Sequence, residues 1–157
     1  MISDTISQKI GEAMKRRDEI KLSTLRMLSS ALNYERIAKQ HDLTNEEELV
    51  VVKREAKKRQ DAIEALRLAQ GKPSTSDKAT LERRLGQEKE ELEILKEYLP
   101  SEMADHELEK LVTETLKETS AESVKDMGRV IGLVMGKTKG RADGKKLAEM
   151  VKSKLLA

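Results

Sequence analysis

The sequence predicts an all-α protein, in which an N-terminal domain of long helices precedes a small C-terminal three-helix bundle. Charged residues make up 38% of the 157 residues and aromatic residues only 1%, a composition typical of helical proteins rather than β-rich ones. Apolar residues recur every three or four positions along most of the chain, which is the helical period. Glycine and proline are sparse outside the last third of the chain, so few residues interrupt the helices.

Residues 1–99 are predicted to form the N-terminal domain, with four amphipathic helices. Asp18 is expected to open the second helix, because its carboxylate can accept hydrogen bonds from free N–H groups in the first turn. The apolar positions of the first two helices are Ile2, Ile6, Ile10 and Met14, followed by Leu22, Leu25, Leu28 and Leu32.

The third helix is predicted to be long. Thr44 and Glu47 have the spacing of a capping box, and Gly71 is expected to end the helix. The segment GKPSTSD, residues 71–77, is predicted to be a loop. A fourth helix follows, and Pro100 ends it. The apolar positions of these two helices are LVVV at 49–52, Ala56, Ile63 and Leu66, followed by Leu81, Leu85, Leu92, Leu95 and Leu99.

Residues 100–157 are predicted to form the C-terminal three-helix domain. We expect Asp105, then Ser123 with Asp126, and then Asp143 to cap its helices in order. The apolar positions of the first and third helices are Leu108, Leu111, Val112 and Leu116, followed by Leu147, Met150, Val151 and Leu155. Charge is unevenly distributed along this domain. Residues 101–127 contain eight acids and three bases, whereas residues 128–157 contain eight bases and two acids.

Five of the eight glycines follow one another at intervals of four residues in this basic segment. They are Gly128, Gly132, Gly136, Gly140 and Gly144. Each glycine inside a helix costs about 1 kcal/mol relative to alanine. Met127, Val130, Ile131, Val134 and Thr138 would share one helical face, with the first three glycines on the flank and back. The sequence therefore predicts a bare strip that another backbone can approach, either in a tight crossing inside the bundle or in external docking.

Basic residues accompany the strip and the loop that follows it. Arg129 and Lys137 border the strip, and a predicted helix start near Asp143 offers free N–H groups to an anion. The remaining predicted nucleic-acid-binding residues are Lys139, Arg141, Lys145 and Lys146. Solvated surface charge is the alternative at these positions, and it is the preferred interpretation of KREAKKR at 53–59.

Several classes of site are disfavoured. One segment imitates a Walker A loop through Gly132, Gly136, Lys137 and Thr138. Only three residues separate its two glycines, however, and no strand pattern precedes them. The chain has no cysteine, and neither histidine, His41 or His106, has metal-ligand spacing.

No metal, cofactor or catalytic residue is therefore predicted. Glu90, Glu91 and Glu93 are expected to form a charged helix face, without the burial that acid–base chemistry needs. No apolar run could span a bilayer, and a cytoplasmic location is expected.

The only aromatic residues are Tyr34 and Tyr98, both in the N-terminal domain. The C-terminal domain therefore cannot stack bases as single-strand readers do. Any RNA contact would have to be made to the backbone and the folded outline, which favours a structured RNA such as tRNA. DNA is not an expected partner.

Four blocks of the sequence, in order, resemble the YqeY family: LRMLSSALNYE, KREAKKRQDAIEALRLAQG, EYLP and MGRVIGLVMGKTKGRADGKKLAEMVKSKL. That family is related to the tail domain of the B subunit of the glutamine-dependent aspartyl/glutamyl-tRNA amidotransferase. The resemblance implies a helical N-terminal domain and a three-helix tail that recognises tRNA, with contacts at Lys137, Lys139, Arg141 and Lys145. The amidotransferase tail tends to read Asn-Pro where this chain has Asp143 and Gly144.

The sequence thus predicts a non-catalytic tRNA-binding or amidotransferase-related accessory protein. The alternative is a helical protein-interaction module whose glycine strip receives a partner helix. Kinship with the amidotransferase would also imply a role in carbon–nitrogen ligase chemistry. Because the glutaminase and ATP-using parts of an amidotransferase need far more chain, such a role would require other subunits.

Overall fold

A computed structural model describes residues 1–72 and 77–157. These residues form seven α-helices and one short 3-10 turn, with no strand among them, which confirms the all-α prediction. Four residues of the predicted loop GKPSTSD, 73–76, lie outside the described residues. No helix in the described part of the chain is long and apolar enough to cross a membrane.

Contacts divide the chain into two compact units, Met1–Leu99 and Pro100–Ala157. The first unit contains α1 (Ile2–Arg16), α2 (Glu19–Lys39), α3 (Asn45–Gln70) and α4 (Lys78–Lys96). The second contains α5 (Asp105–Thr119), a 3-10 turn (Val124–Asp126), α6 (Met127–Lys137) and α7 (Gly144–Leu156). That the two units are separate folding domains stays a prediction.

The predicted caps of the first unit are present. Asp18 accepts a hydrogen bond from the Lys21 N–H at 3.0 Å. Thr44 and Glu47 form a reciprocal capping box, with hydrogen bonds of 3.2 and 2.9 Å. α3 ends before Gly71. Local sequence chemistry therefore fixes the start of α2 and both ends of α3.

One predicted core residue of α1 is wrong. Met14 is 53% exposed, and Ala13 is buried in its place. A spacing of four residues advances about 40° around a helix, so Met14 is roughly 120° from Ile2. Ala13 is only about 20° from Ile2 on the same wheel, and it therefore occupies the buried face.

A second correction concerns the charged face of α4. Glu91 is 4% exposed, and its Oε2 lies 3.0 Å from Nε of Arg59 on α3. Gln87 donates to the other carboxylate oxygen at 2.9 Å. The sequence pattern did not indicate this burial, because it becomes favourable only once α3 supplies the opposite charge.

The N-terminus of α1 is capped by a side chain from another helix. Glu48 in α3 is 1% exposed and accepts from the Ile2 N–H at 2.6 Å and the Ser3 N–H at 3.0 Å. The Ser3 hydroxyl also donates to this carboxylate. Residue Met1, at the N-cap of α1, provides no side-chain cap. Glu48 therefore satisfies donors that the local sequence leaves free.

The second unit has a core of regular composition. Each of its three helices contributes two fully buried residues, with other apolar side chains partly buried around them. The six are Leu108, Val112, Val130, Val134, Leu147 and Val151. All of them lie at positions that the apolar pattern predicted to be on buried helix faces.

The predicted cap of α5 is wrong. Ala104 occupies the N-cap position and makes no side-chain hydrogen bond, and Asp105 is the first helical residue. The Asp105 carboxylate instead lies 2.6 Å from Nζ of Lys146. A cation from α7 therefore holds the side chain that was expected to cap the helix.

We expect Glu48→Ala to destabilise the first unit by about 1–3 kcal/mol, because the Ile2 and Ser3 N–H groups would lose the acceptor that caps α1. The loss should appear in urea unfolding followed by tyrosine fluorescence. Both tyrosines lie within residues 1–99, so this signal reports the first unit. Glu46→Ala, at an exposed position in the same turn, is the control. Equal stability of the two variants would contradict the capping role.

Candidate nucleic-acid interface

The three glycines of α6 form an open strip. Gly128, Gly132 and Gly136 are exposed, and a Cβ added to any of them would meet no described atom within 4 Å apart from its chain neighbours and the adjacent backbone of α6. The predicted alternative of a tight helix crossing inside the bundle is therefore wrong for the described residues. The strip is accessible to a partner from outside.

The opposite face of α6 is the one that packs. Val130, Val134 and Thr138 are buried, and Met127 and Ile131 are partly buried against the same core. The predicted division between a packed face and a glycine face is thus confirmed. Leu133 is 45% exposed, and its place on the helical wheel is on the solvent side next to the strip.

The other two glycines of the series have different structural roles. Gly140 has φ of 76° and follows Lys139, which has φ of 49°. Two successive left-handed residues turn the chain between α6 and α7, and glycine is suited to that conformation. Gly144 is the first residue of α7. The five regularly spaced glycines therefore lie in three different settings: within a helix, in a turn and at the start of the next helix.

Arg129 and Lys137, the two cations that border the strip, make contacts to the C-terminal part of α5. Arg129 donates to the Thr119 carbonyl at 3.1 Å and lies 3.6 Å from Asp126. Lys137 lies 2.5 Å from a Glu118 carboxylate oxygen. Both cations therefore already have partners within the second unit.

Arg141 and Lys146 make contacts at the other end of α5. Nε of Arg141 donates to the Ser101 carbonyl at 3.0 Å, just ahead of the helix. Lys146 pairs with Asp105 in its first turn, and this carboxylate raises the pKa of Lys146 above its ordinary value, first by hydrogen bonding and then by charge. Asp105 and Glu118 are 13 residues apart on α5, about 20 Å along its axis.

The predicted basic residues therefore do not form one cluster. Arg129 and Lys137 lie near the C-terminal part of α5, whereas Arg141 and Lys146 lie near its start. Lys139 and Lys145 are exposed and have no acidic partner among residues 1–72 and 77–157. Of the predicted basic residues, Lys139 and Lys145 are thus the two most available to a ligand.

Asp143 caps α7, as predicted. Its carboxylate accepts from the Lys145 N–H at 2.8 Å and from the Lys146 N–H at 3.4 Å. These N–H groups are the ones that an anion would otherwise use at a helix start. Binding of an anion at this corner would therefore depend on the lysine side chains more than on the helix N-terminus.

Asp126 accepts hydrogen bonds at the start of the 3-10 turn that precedes α6. The N–H groups of Glu122 and Ser123 both donate to its carboxylate at 3.3 Å, and these bonds, with Arg129 as a weaker influence, lower the pKa of Asp126. The predicted pair of Ser123 and Asp126 does mark the beginning of this helical segment.

The two histidines and the acidic side chains were the candidates for a metal site. His41 and His106 are both exposed. No group of three or more His, Asp or Glu side chains in the described residues could hold a metal ion. What the second unit does offer is an exposed cationic loop beside an open helix surface.

We expect Gly132→Ala to stabilise the second unit by about 0.5–1 kcal/mol, because the new methyl group meets open space and alanine favours the helix. Urea unfolding followed by the methyl NMR signals of Val130 and Val134 measures this. Gly140→Ala is the matched comparison and should lose stability because of its positive φ. A destabilised Gly132→Ala variant would show that the strip is packed against protein.

The stability of the second unit should depend on Asp126 ionisation. Because folding lowers its pKa, the carboxylate contributes stability above the ordinary aspartate range and loses it as pH falls through the folded pKa. The difference in unfolding free energy between wild type and Asp126→Asn should therefore be largest near neutral pH and shrink on acidification. The same methyl signals measure it, and a difference that does not vary with pH would contradict the expectation.

Comparison with known proteins agrees with the resemblance seen in the blocks of sequence. The chain matches the family described as Yqey-like protein over residues 3–155. A comparison with curated proteins gives no significant match. The family match covers nearly all of both helical units, so the chain belongs to the YqeY family.

Proposed function

We propose that this protein is a non-catalytic accessory factor that binds the sugar–phosphate backbone of a structured RNA, such as tRNA, through its second unit. The observation that carries the proposal is the loop between α6 and α7 together with the first turn of α7. Lys139 and Lys145 are exposed there without acidic partners in the described chain, and Arg141 lies between them in the sequence. The kinship with an amidotransferase tail that recognises tRNA supports the same assignment.

The open strip on α6 supplies room beside these cations. Gly136 in the last turn of α6 has no side chain to hold a ligand away, and nothing in the described residues covers it. A phosphate backbone can therefore approach the helix closely. With no aromatic residue in the unit, recognition would depend on phosphate positions and folded outline rather than on bases.

Existing ion pairs would have to be exchanged during binding. Lys137 and Lys146 each pair with a carboxylate that is more than half exposed. Exposed pairs of this kind contribute only about 0–1 kcal/mol, so a phosphate can replace the carboxylate at little cost. The loop and these two lysines together could neutralise about four phosphates.

A protein-interaction module is the second candidate. It is favoured by Leu133, which is 45% exposed and borders the glycine strip on the helical wheel. A partner helix could cover this apolar side chain, whereas a phosphate backbone would gain nothing from it. Binding of this kind would depend little on salt.

Carbon–nitrogen ligase activity would be exercised only together with other subunits, in the cytoplasm. The kinship with the glutamine-dependent amidotransferase suggests this role. The purified protein should therefore turn over neither ATP nor glutamine.

We expect affinity for folded tRNA to fall roughly a hundredfold between about 50 and 200 mM salt if about four phosphates are neutralised. Filter binding with a tRNA transcript measures this. The double variant Lys139→Glu/Lys145→Glu should bind at least about tenfold more weakly at low salt, with a shallower salt dependence.

Arg83→Glu/Lys89→Glu, which makes the same charge change at exposed positions of α4, is the matched control and should bind tRNA with nearly wild-type affinity. If both double variants weaken tRNA binding equally, the loss of affinity would come from the change in net charge and not from a specific site. Tight binding that does not respond to salt would contradict RNA recognition and favour the protein-interaction module.

A further inference from the structure

A row of exposed apolar side chains runs along α2 in the first unit, far from the proposed RNA site in the sequence. Met27 is 41% exposed, Tyr34 77% and Ile37 70%. Spacings of seven and three residues place them on one face of the helix, over about 15 Å. Single exposed apolar residues are ordinary, but an aligned row indicates a binding surface.

This row borders a groove between α2 and α3. The groove has a volume of about 640 Å³. Met27, Ala31 and Tyr34 of α2 and the side chains of Arg54 and Lys58 of α3 are among its lining residues. A groove between two packed helices, with an apolar row along one wall, has the shape that accepts a third helix.

The charge of the groove favours one kind of helix. Its lining residues include four cations, Arg26, Arg54, Lys58 and Arg59, and a single acid, Glu55. Arg26 has no acidic partner among the described residues, and its one hydrogen bond is to the Met14 sulfur at 3.9 Å.

The paired cations keep some capacity for further bonds. Arg54 uses one nitrogen, Nη1, to contact Glu35 at 3.0 Å, and a guanidinium has five N–H donors. Lys58 contacts Glu55 at 2.7 Å through one ammonium group with three donors. Carboxylates of a partner could therefore bind the rim without displacing these contacts.

The Arg59 side chain forms part of the groove wall and is held in position by other residues. It is 17% exposed, and two acids of α4 hold it: Glu91 at 3.0 Å and Glu88 at 3.4 Å. Its Nη2 lies 3.6 Å from the Met27 sulfur. Because α4 fixes Arg59 and Arg59 contacts Met27, one end of the apolar row is held in position before a partner arrives, which lowers the entropy cost of binding.

We propose that the groove between α2 and α3 binds an acidic amphipathic helix of another protein. The apolar face of that helix would cover Met27, Tyr34 and Ile37, and its flanking Asp and Glu side chains would face Arg26, Arg54 and Lys58. Charge complementarity selects an acidic helix over a basic one. The apolar row would gain nothing from a nucleic-acid backbone.

A display library tests this proposal on the full-length protein. Its members are helices of about 18 residues, or five turns, with a fixed leucine face and flanking positions drawn from Asp, Glu, Lys, Arg and Gln. Selection should enrich Asp and Glu at the flanks. The best selected peptide should lose at least about tenfold in affinity to Tyr34→Ala and to Arg26→Glu/Arg54→Glu, as expected for central contacts and charge reversal.

Leu68→Ser and Arg83→Glu are matched controls, because both residues are exposed and lie outside the groove lining. They should leave peptide affinity unchanged, and circular dichroism checks that every variant is folded. Flanks without acidic enrichment, or equal losses in the groove and control variants, would overturn the proposal. Self-association that Tyr34→Ala abolishes would also overturn it, because the occupant would then be a second copy of this chain.

Discussion

Opposite charges that are separated along the sequence meet again in the fold of the second unit. α5 carries five of the ten acids of this unit, and α6 and α7 together carry six of its eleven bases. Three ion pairs join them: Lys137 to Glu118, Lys146 to Asp105, and Lys154 to Glu109. The rest of the surface depends on this pairing, because it determines which cations remain available. It also spreads the basic residues over both ends of α5 rather than collecting them at one corner.

The helices could be predicted from the sequence because their causes are local. The cap at Asp143, the capping box at Thr44 and the buried face of α6 all follow from residues within one or two turns. The roles of Glu48, Glu91 and Asp105 could not be predicted from local sequence. Each carboxylate has its partner on another helix, so its burial or pairing depends on the tertiary arrangement that sequence periodicity does not contain. Acids within apolar patterns were the only available signal.

The sequence predicted which types of residue the candidate site contains, but not which of those residues lie together. The glycines of α6 were expected on an unpacked or closely crossed face, and the open space around Gly132 decides between the two. The availability of each cation could not be predicted, because it depends on the acids that α5 places beside Lys137 and Lys146 in the fold. An open strip in a small unit implies a requirement other than stability, since alanine would favour the helix.

The central claim is that the loop between α6 and α7 and the adjacent strip receive an RNA backbone. Titration of the isotope-labelled full-length protein with folded tRNA, followed by amide NMR signals, tests it most directly. The account predicts shifts at Gly132, Gly136 and residues 138–146, together with a change at Asp105 as Lys146 exchanges its partner. Shifts confined to residues 1–99, or none in the presence of excess tRNA, would contradict it.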